Sequence, residues 1–296
     1  MISIRKKAIF LLVLNAGGYS LLNVAVRLMD KGFQPFTQVY LRILIATLVG
    51  IFVFRKQLRW KKIKTTPLSD WIILFIMGVV GFALMISFIT LGALEAKLLN
   101  VSVIYSTVVF FSYLYSIWVL KSKPDARVLF FVGIALWGVA SLSTGSLLPI
   151  LGGFGRGEFY VLLSAAAGAW YYVGRKMLSE HLNTSEISII TMLIATLSAF
   201  IIAMIFGERL NKDAIFHVQA LAGLAIGGVV VVLSTFIENF SFKHLPAVLG
   251  SQILLLENVF SVFFGFVLYK EILSLPQIIG AVTVIVSVYL MNKVSE

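Results

Sequence analysis

Cysteine is absent from the 296 residues, which excludes disulfides and thiolate metal sites and leaves the redox compartment unreadable. Histidine is scarce: His181, His217 and His244 are far apart and near expected helix ends, a spacing that does not suit a metal cluster. Charge is scarce too, at 12% of residues, where a soluble domain carries about a quarter. Acids are the rarer sign, 13 Asp plus Glu against 24 Lys plus Arg, for a formal net charge of +11. The chain contains no HExxH, no GxSxG and no GxxxxGK[ST], so neither metallohydrolase, serine-hydrolase nor ATP-driven chemistry is expected of it alone. No enzyme activity, cofactor or resident metal is expected. The basic excess does not point to nucleic acid, because the Lys and Arg residues cluster in short segments between apolar runs.

What the chain has in abundance is apolar surface. Sixty per cent of residues are hydrophobic and the mean hydropathy is +1.01, more than water-facing residues could cover, so lipid is the expected solvent. Apolar runs recur near 8–29, 36–54, 71–92, 98–120 and 127–144, then near 158–178, 187–206, 218–242, 246–268 and 273–291. Each is long enough to cross ~30 Å of hydrocarbon as a helix. Continuous apolarity, without alternation at every second residue, favours helices over barrel strands.

Ten crossings put both termini on one side. The loops and termini of that side hold 16 Lys and Arg, the opposite loops hold 6, and Arg27 and Arg42 fall inside runs. The positive-inside rule therefore places both termini in the cytoplasm, with the protein multi-pass in a cell membrane. Arg5-Lys6-Lys7 followed by an apolar stretch and Ala16-Gly17-Gly18 also has the look of a cleavable signal. The apolar character resumes past Tyr19 and reaches Met29, which favours a retained span.

A Gly-rich connector, Gly145 to Gly157, divides the runs five and five. Taking 1–147 and 148–296 as two halves of one integral domain, an odd span count means that homologous halves face opposite ways, as inverted repeats do. Matches at an offset of 147, such as Leu98 with Leu245 and Lys123 with Lys270, are few. The hydropathy symmetry says more. The stretch Lys243-His-Leu-Pro-Ala through Leu254-Leu-Leu-Glu257-Asn258 to Tyr269-Lys-Glu271, then Gln277-Ile-Ile-Gly280, resembles the end of an EamA-type transporter of the drug/metabolite transporter superfamily. Tyr40-Leu-Arg42-Ile-Leu-Ile-Ala46 is similar to its second helix, and Gly168-Ala-Trp-Tyr-Tyr-Val-Gly-Arg-Lys176 to the start of its second half. Asn258 stands where the pattern has proline, and Lys270 where it has glycine. The resemblance implies an all-α membrane protein, two inverted five-helix repeats around a central cavity, and secondary transport of small metabolites.

Several residues are candidates for the work. Glu257 falls near the middle of its run, where an ionised carboxylate costs several kcal/mol unless paired or protonated. It is a candidate for proton coupling or for holding a cationic substrate group, with a structural hydrogen-bonded role as the alternative. Arg42 is deep enough to hold a carboxylate from substrate or protein, whereas Arg27 suits snorkelling to the interface. Glu238, with Asn239, is either a gate or an interfacial side chain reaching water. Glu158 reads as compensation of a helix amino terminus. Tyr105 and Trp170, with Tyr19, are candidate pocket rings, and Asn258 adjoins Glu257. Glu257 and Arg42 together would hold the two ends of a zwitterion.

These residues lead to the expectation of a secondary transporter, monomeric or homodimeric, that exports an amino acid or related metabolite by alternating access with protons as the coupling ion. A cationic compound such as a quaternary amine is the alternative substrate. A lipid-linked flippase or membrane enzyme would need a reactive cluster that the sequence does not display.

Overall fold

The computed structural model describes residues 3–29, 32–150, 153–210, 217–270 and 272–295, without the side chains of Leu21, Asn23, Val24, Ala25, Arg27, Leu98, Leu268 and Tyr269. The Arg27 side chain, Lys31, Lys212 and Glu271 thus lie outside the described residues. Among those described there are helices and no strand, as expected where lipid offers the backbone no hydrogen-bond partner.

The first half runs α1 (Ile4–Met29), α2 (Pro35–Phe54), a short basic helix α3 (Trp60–Lys64), α4 (Leu68–Gly78), α5 (Met85–Glu95), α6 (Leu98–Tyr105), α7 (Val108–Trp118) and α8 (Ala126–Thr144). The second runs α9 (Arg156–Met177), α10 (Thr184–Ile205), α11 (Val218–His244), α12 (Ala247–Leu254), α13 (Leu256–Tyr269) and α14 (Leu275–Val294). Start signals explain several boundaries. Pro35 opens α2 and Pro276 sits in the first turn of α14, where a missing N–H costs nothing. Asp125 caps α8 by accepting from the Arg127 N–H, and Asn183 with Glu186 forms a capping box on α10.

Eight stretches are long and apolar enough to cross a membrane, among them Leu68–Glu95, Leu99–Trp118 and Ala247–Val267. The remaining long helices, α1 and α9, have 26 and 22 residues and carry Lys or Arg in their terminal turns. Two departures from the expected spans matter. The third run is one rod in which α4 and α5 are joined by a π-helical stretch, Val79–Leu84. The runs expected at 98–120 and 246–268 are each broken in two, between α6 and α7 and between α12 and α13.

Large apolar side chains such as Phe52, Trp118 and Ile205 are mostly exposed, while Asn15, Gln38, Glu238, Asn239 and Gln252 are buried. That distribution suits a protein whose outside is hydrocarbon and whose polar groups face inward. Arg175, counted above with the loops, is also buried, and its Nε donates to the Asn239 carbonyl at 2.9 Å.

Four long pairings build the bundle: α1 along α11, α9 along α4 and α5, α2 along α10, and α8 along α14. The last two are antiparallel. In the α2–α10 pair, the segment just past α10 supplies Glu208, whose carboxylate accepts from the Phe36 and Thr37 N–H groups at 3.1 and 2.6 Å. At the other end Arg59, just past α2, pairs with Glu186 in the first turn of α10 at 2.7 Å. Midway, Thr47 and Thr196 hydroxyls meet at 3.1 Å, each the thirteenth residue of its helix. In the α8–α14 pair, Gly138 and Gly280 meet backbone to backbone, a Cβ on Gly280 falling 2.6 Å from the Gly138 carbonyl oxygen.

Contacts between connections fall into two groups. At one end Arg5 donates to Ser295 and Asn292, Ser179 to Asp70, Lys176 to the Lys243 carbonyl, and Lys243 pairs with Glu180. At the other end Arg156 pairs with Glu95 at 2.9 Å, and Asn100 donates to Glu158 at 2.7 Å. Glu158 also accepts from the Gly155 N–H at 3.0 Å, so it does secure the α9 amino terminus.

Candidate functional site

The two broken helices hold the most distinctive backbone in the bundle. α6 and α12 are each eight residues long and each stops in the middle of its run. Neither break contains proline or glycine. Around the first, the Thr107 N–H and hydroxyl both donate to the Ile104 carbonyl, and Ser106 Oγ donates to the Ser102 carbonyl. Around the second, both the Asn258 N–H and its side-chain Nδ2 donate to the Leu255 carbonyl. Polar side chains thus intercept carbonyls that an unbroken helix would have used, one of the recognised causes of a kink.

Tyr105 is the last residue of α6, and Glu257 is the second of α13, so each adjoins a kink. Glu238 on α11 and Tyr172 on α9 are buried in the same bundle. Tyr105 Oη reaches Met85 Sδ at 3.6 Å. Asn258 Oδ1 accepts from Ser102 Oγ at 2.6 Å, and Ser143 Oγ lies 3.4 Å from Ser102 Oγ, a polar thread from α13 through α6 to α8. Ser20 Oγ on α1 donates to the Glu257 carbonyl at 3.0 Å.

Glu238 does not reach water. It is 4% exposed and accepts from Tyr19 Oη at 2.6 Å and Asn15 Nδ2 at 3.3 Å. The interfacial alternative is therefore corrected. α11 lies antiparallel along α1, and the Glu238 face meets α1 rather than an end of the bundle. Its neighbour Asn239 donates to Tyr171 Oη at 2.8 Å and Ser188 Oγ at 3.0 Å, tying α11 to α9 and α10.

Arg42 is 7% exposed, packs its Cβ against Gly227 of α11, and has no acceptor for its Nε among the described residues. The four ion pairs found among the described residues lie at the bundle ends and engage neither Arg42 nor Glu238. Trp170 packs on Tyr115 with ring centroids 5.0 Å apart, and Tyr115 on Phe111, forming an aromatic row between α9 and α7.

Asn15 and Ser102 enter the site without having been singled out in the sequence, whereas Tyr172 is one of the rings within the spans that could line a pocket. Asn15 and Ser102 had a signal, a small polar residue inside an apolar run. Tyr172 differs from its neighbours only in which face of α9 it occupies.

The family model of the EamA-like transporter family matches residues 6–144 and again 155–293. The uncharacterized transporter YcxC of Bacillus subtilis (strain 168) is 20% identical over 212 residues, covering 70% of this chain and 68% of that protein. A solved crystal structure superposes with a TM-score of 0.75 at 14% identity, over 97% of this chain and 96% of the other, a likeness of fold alone.

Proposed function

From the premise that this chain belongs to the EamA-like transporter family, we propose that it is a secondary transporter moving a small polar or amphiphilic metabolite by alternating access, with the site at the two helix breaks. The observation that carries the proposal is the pair of interrupted helices, α6–α7 and α12–α13, in corresponding places of the two matched halves. Interrupted helices so placed often mark binding sites in transporters, and here each kink carries a polar side chain, Thr107 at one and Asn258 at the other.

The architecture proposed is ten crossings as two inverted repeats. The antiparallel α2–α10 and α8–α14 pairs support it, since each would pair a helix with its own counterpart across an axis in the membrane plane. The α1–α11 and α9–α4/α5 pairings would then exchange with one another. The separation of loop contacts into two ends supports alternating crossings, and the basic excess at the end bearing Arg5 and Ser295 supports cytoplasmic termini.

In this reading Glu257, at the break, carries the coupling proton or receives a cationic substrate group, and Tyr105, Tyr19 and Asn258 line the path. Arg42 takes a substrate anion, so that a zwitterion such as an amino acid is held at both ends, and the direction is export. Proteoliposomes carrying Glu257→Gln or Arg42→Ala test the assignment: both variants should fold and fail to transport. Retained transport by both would remove these residues from the site.

Two acids in the spans, Glu257 and Glu238, the latter bonded by Tyr19, favour a second reading, a cationic substrate such as a quaternary amine. Thermal-shift screening of amino acids against choline-like ligands separates the two.

A further inference from the structure

A cavity of about 260 Å³ opens at the end of the bundle that carries both termini. Its floor is buried and mixed, with Tyr113, Ser116, Val248 and Met291. Lys123 on its rim is exposed, and Lys176 contributes from α9. Glu257, Glu238, Arg42, Tyr19 and Tyr105 take no part in the lining, so this is a separate place from the helix-break site.

Among the described residues the cavity's one lining acid, Asp125, is taken up by Arg127, whose N–H and Nη2 each lie 2.8 Å from its oxygens. Lys176 donates one N–H to the Lys243 carbonyl at 3.1 Å and pairs with no acid among the described residues, which leaves an ammonium with further donors. The start of α12 forms another wall, and Pro246 before it provides no side-chain cap, so the helix presents a positive end there. Tyr113 Oη holds the Asp125 backbone at 3.2 and 3.3 Å, which fixes the loop bearing Lys123. Ile117, Leu120 and Val128 give the remaining wall an apolar character.

We propose that this cavity binds the phosphate-bearing headgroup of an anionic membrane lipid, the phosphate held by Lys123 and Lys176 and the glycerol portion lying on the apolar wall. A free phosphate would use the same two cations but not the apolar wall. The ends of the helices are also where lipid phosphates lie, and basic recesses between membrane helices suit such headgroups. The bound headgroup would touch the ends of both broken spans, α7 through Leu120 and α12 through Val248, and would favour the arrangement described here over any in which those ends part.

Native mass spectrometry and thermal unfolding of the full chain in neutral detergent test this, with phosphatidylglycerol, phosphatidylcholine and inorganic phosphate as separate additions. Phosphatidylglycerol should give a one-lipid adduct and raise the unfolding midpoint, and phosphatidylcholine should do neither. In the Lys123→Gln/Lys176→Gln protein the phosphatidylglycerol adduct should weaken roughly tenfold or more. The Lys61→Gln/Lys62→Gln protein, altered on the exposed α3, should behave as the parent. Equal losses in both double variants would reduce the effect to general surface charge and overturn the proposal, as would an unchanged adduct in the first. Protection by phosphate equal to that by phosphatidylglycerol would overturn the lipid as source. Should the double variant be unstable, Lys123→Gln alone, at an exposed position, should still weaken the adduct, and no weakening would overturn the proposal.

Discussion

Replacing Tyr19 by Phe removes one oxygen and leaves the ring. In the structure that oxygen donates to Glu238 Oε1 at 2.6 Å, a shorter hydrogen bond than the one the same Oε1 accepts from Asn15 Nδ2 at 3.3 Å. Glu238 is 4% exposed, so water cannot readily replace the lost donor. A hydrogen bond to a charged group is worth about 1.5–3 kcal/mol and one between neutral groups about 0.5–1.5 kcal/mol. Tyr19→Phe should therefore destabilise the fold by about 0.5–3 kcal/mol in a reversible unfolding titration. Together with Glu238→Gln and the double variant it closes a thermodynamic cycle that reads the coupling energy between the two side chains. A coupling energy of zero would refute the claim that the Tyr19–Glu238 contact holds α1 to α11.

Three further outcomes are expected. A Cβ on Gly81 would fall 2.8 Å from the Tyr171 backbone nitrogen, so Gly81→Ala should cost about 1–3 kcal/mol in an unfolding titration by parting the π-helical stretch from α9. Glu186→Gln removes a buried carboxylate from the α10 capping box and from the half-exposed Arg59; the loss should be about 1–2 kcal/mol by the same titration. Arg127 holds the Asp125 carboxyl below its usual range. A depressed value means that the cap on α8 contributes above about pH 4 and is lost as pH falls through the lower folded value. In acid unfolding followed by circular dichroism, Asp125→Asn should cap without titrating, so its curve should lack that component.

The spans were largely legible because lipid leaves the backbone few options. A run of twenty apolar residues that must satisfy its own N–H and C=O groups becomes a helix wherever it lies, and α2, α8, α10 and α14 begin and end within a few residues of the expected runs. The breaks were not legible. Proline and glycine, the usual punctuation, are missing from Ser106-Thr107 and from Leu255, and the interruption depends on side chains such as Asn258 turning back to a carbonyl. The depth of Glu238 was misread for a related reason. Position in a run gives distance along a helix, but α11 extends 27 residues and the partners of Glu238 come from α1, more than two hundred residues earlier. Glu208 on the α2 amino terminus is likewise a contact between distant segments that periodicity cannot show. Glu257 and Arg42 stand out in the sequence as charges within apolar runs, whereas the ring that Trp170 meets, Tyr115, has no sequence mark.

The Thr47–Thr196 contact has a mechanical consequence. Each hydroxyl also lies 2.8 Å from the carbonyl four residues back, Ile43 for one and Met192 for the other, so the two threonines see the same surroundings and either can be the one that donates. A contact at the midpoint of two antiparallel helices is displaced less by a tilt between them than the contacts at their ends, so any tilt of α2 against α10 would disturb this bond least. Substituting valine at both positions would leave the shape of the contact and remove the bond, so the cost should fall on how faithfully the two helices return to register and leave the substrate's grip untouched.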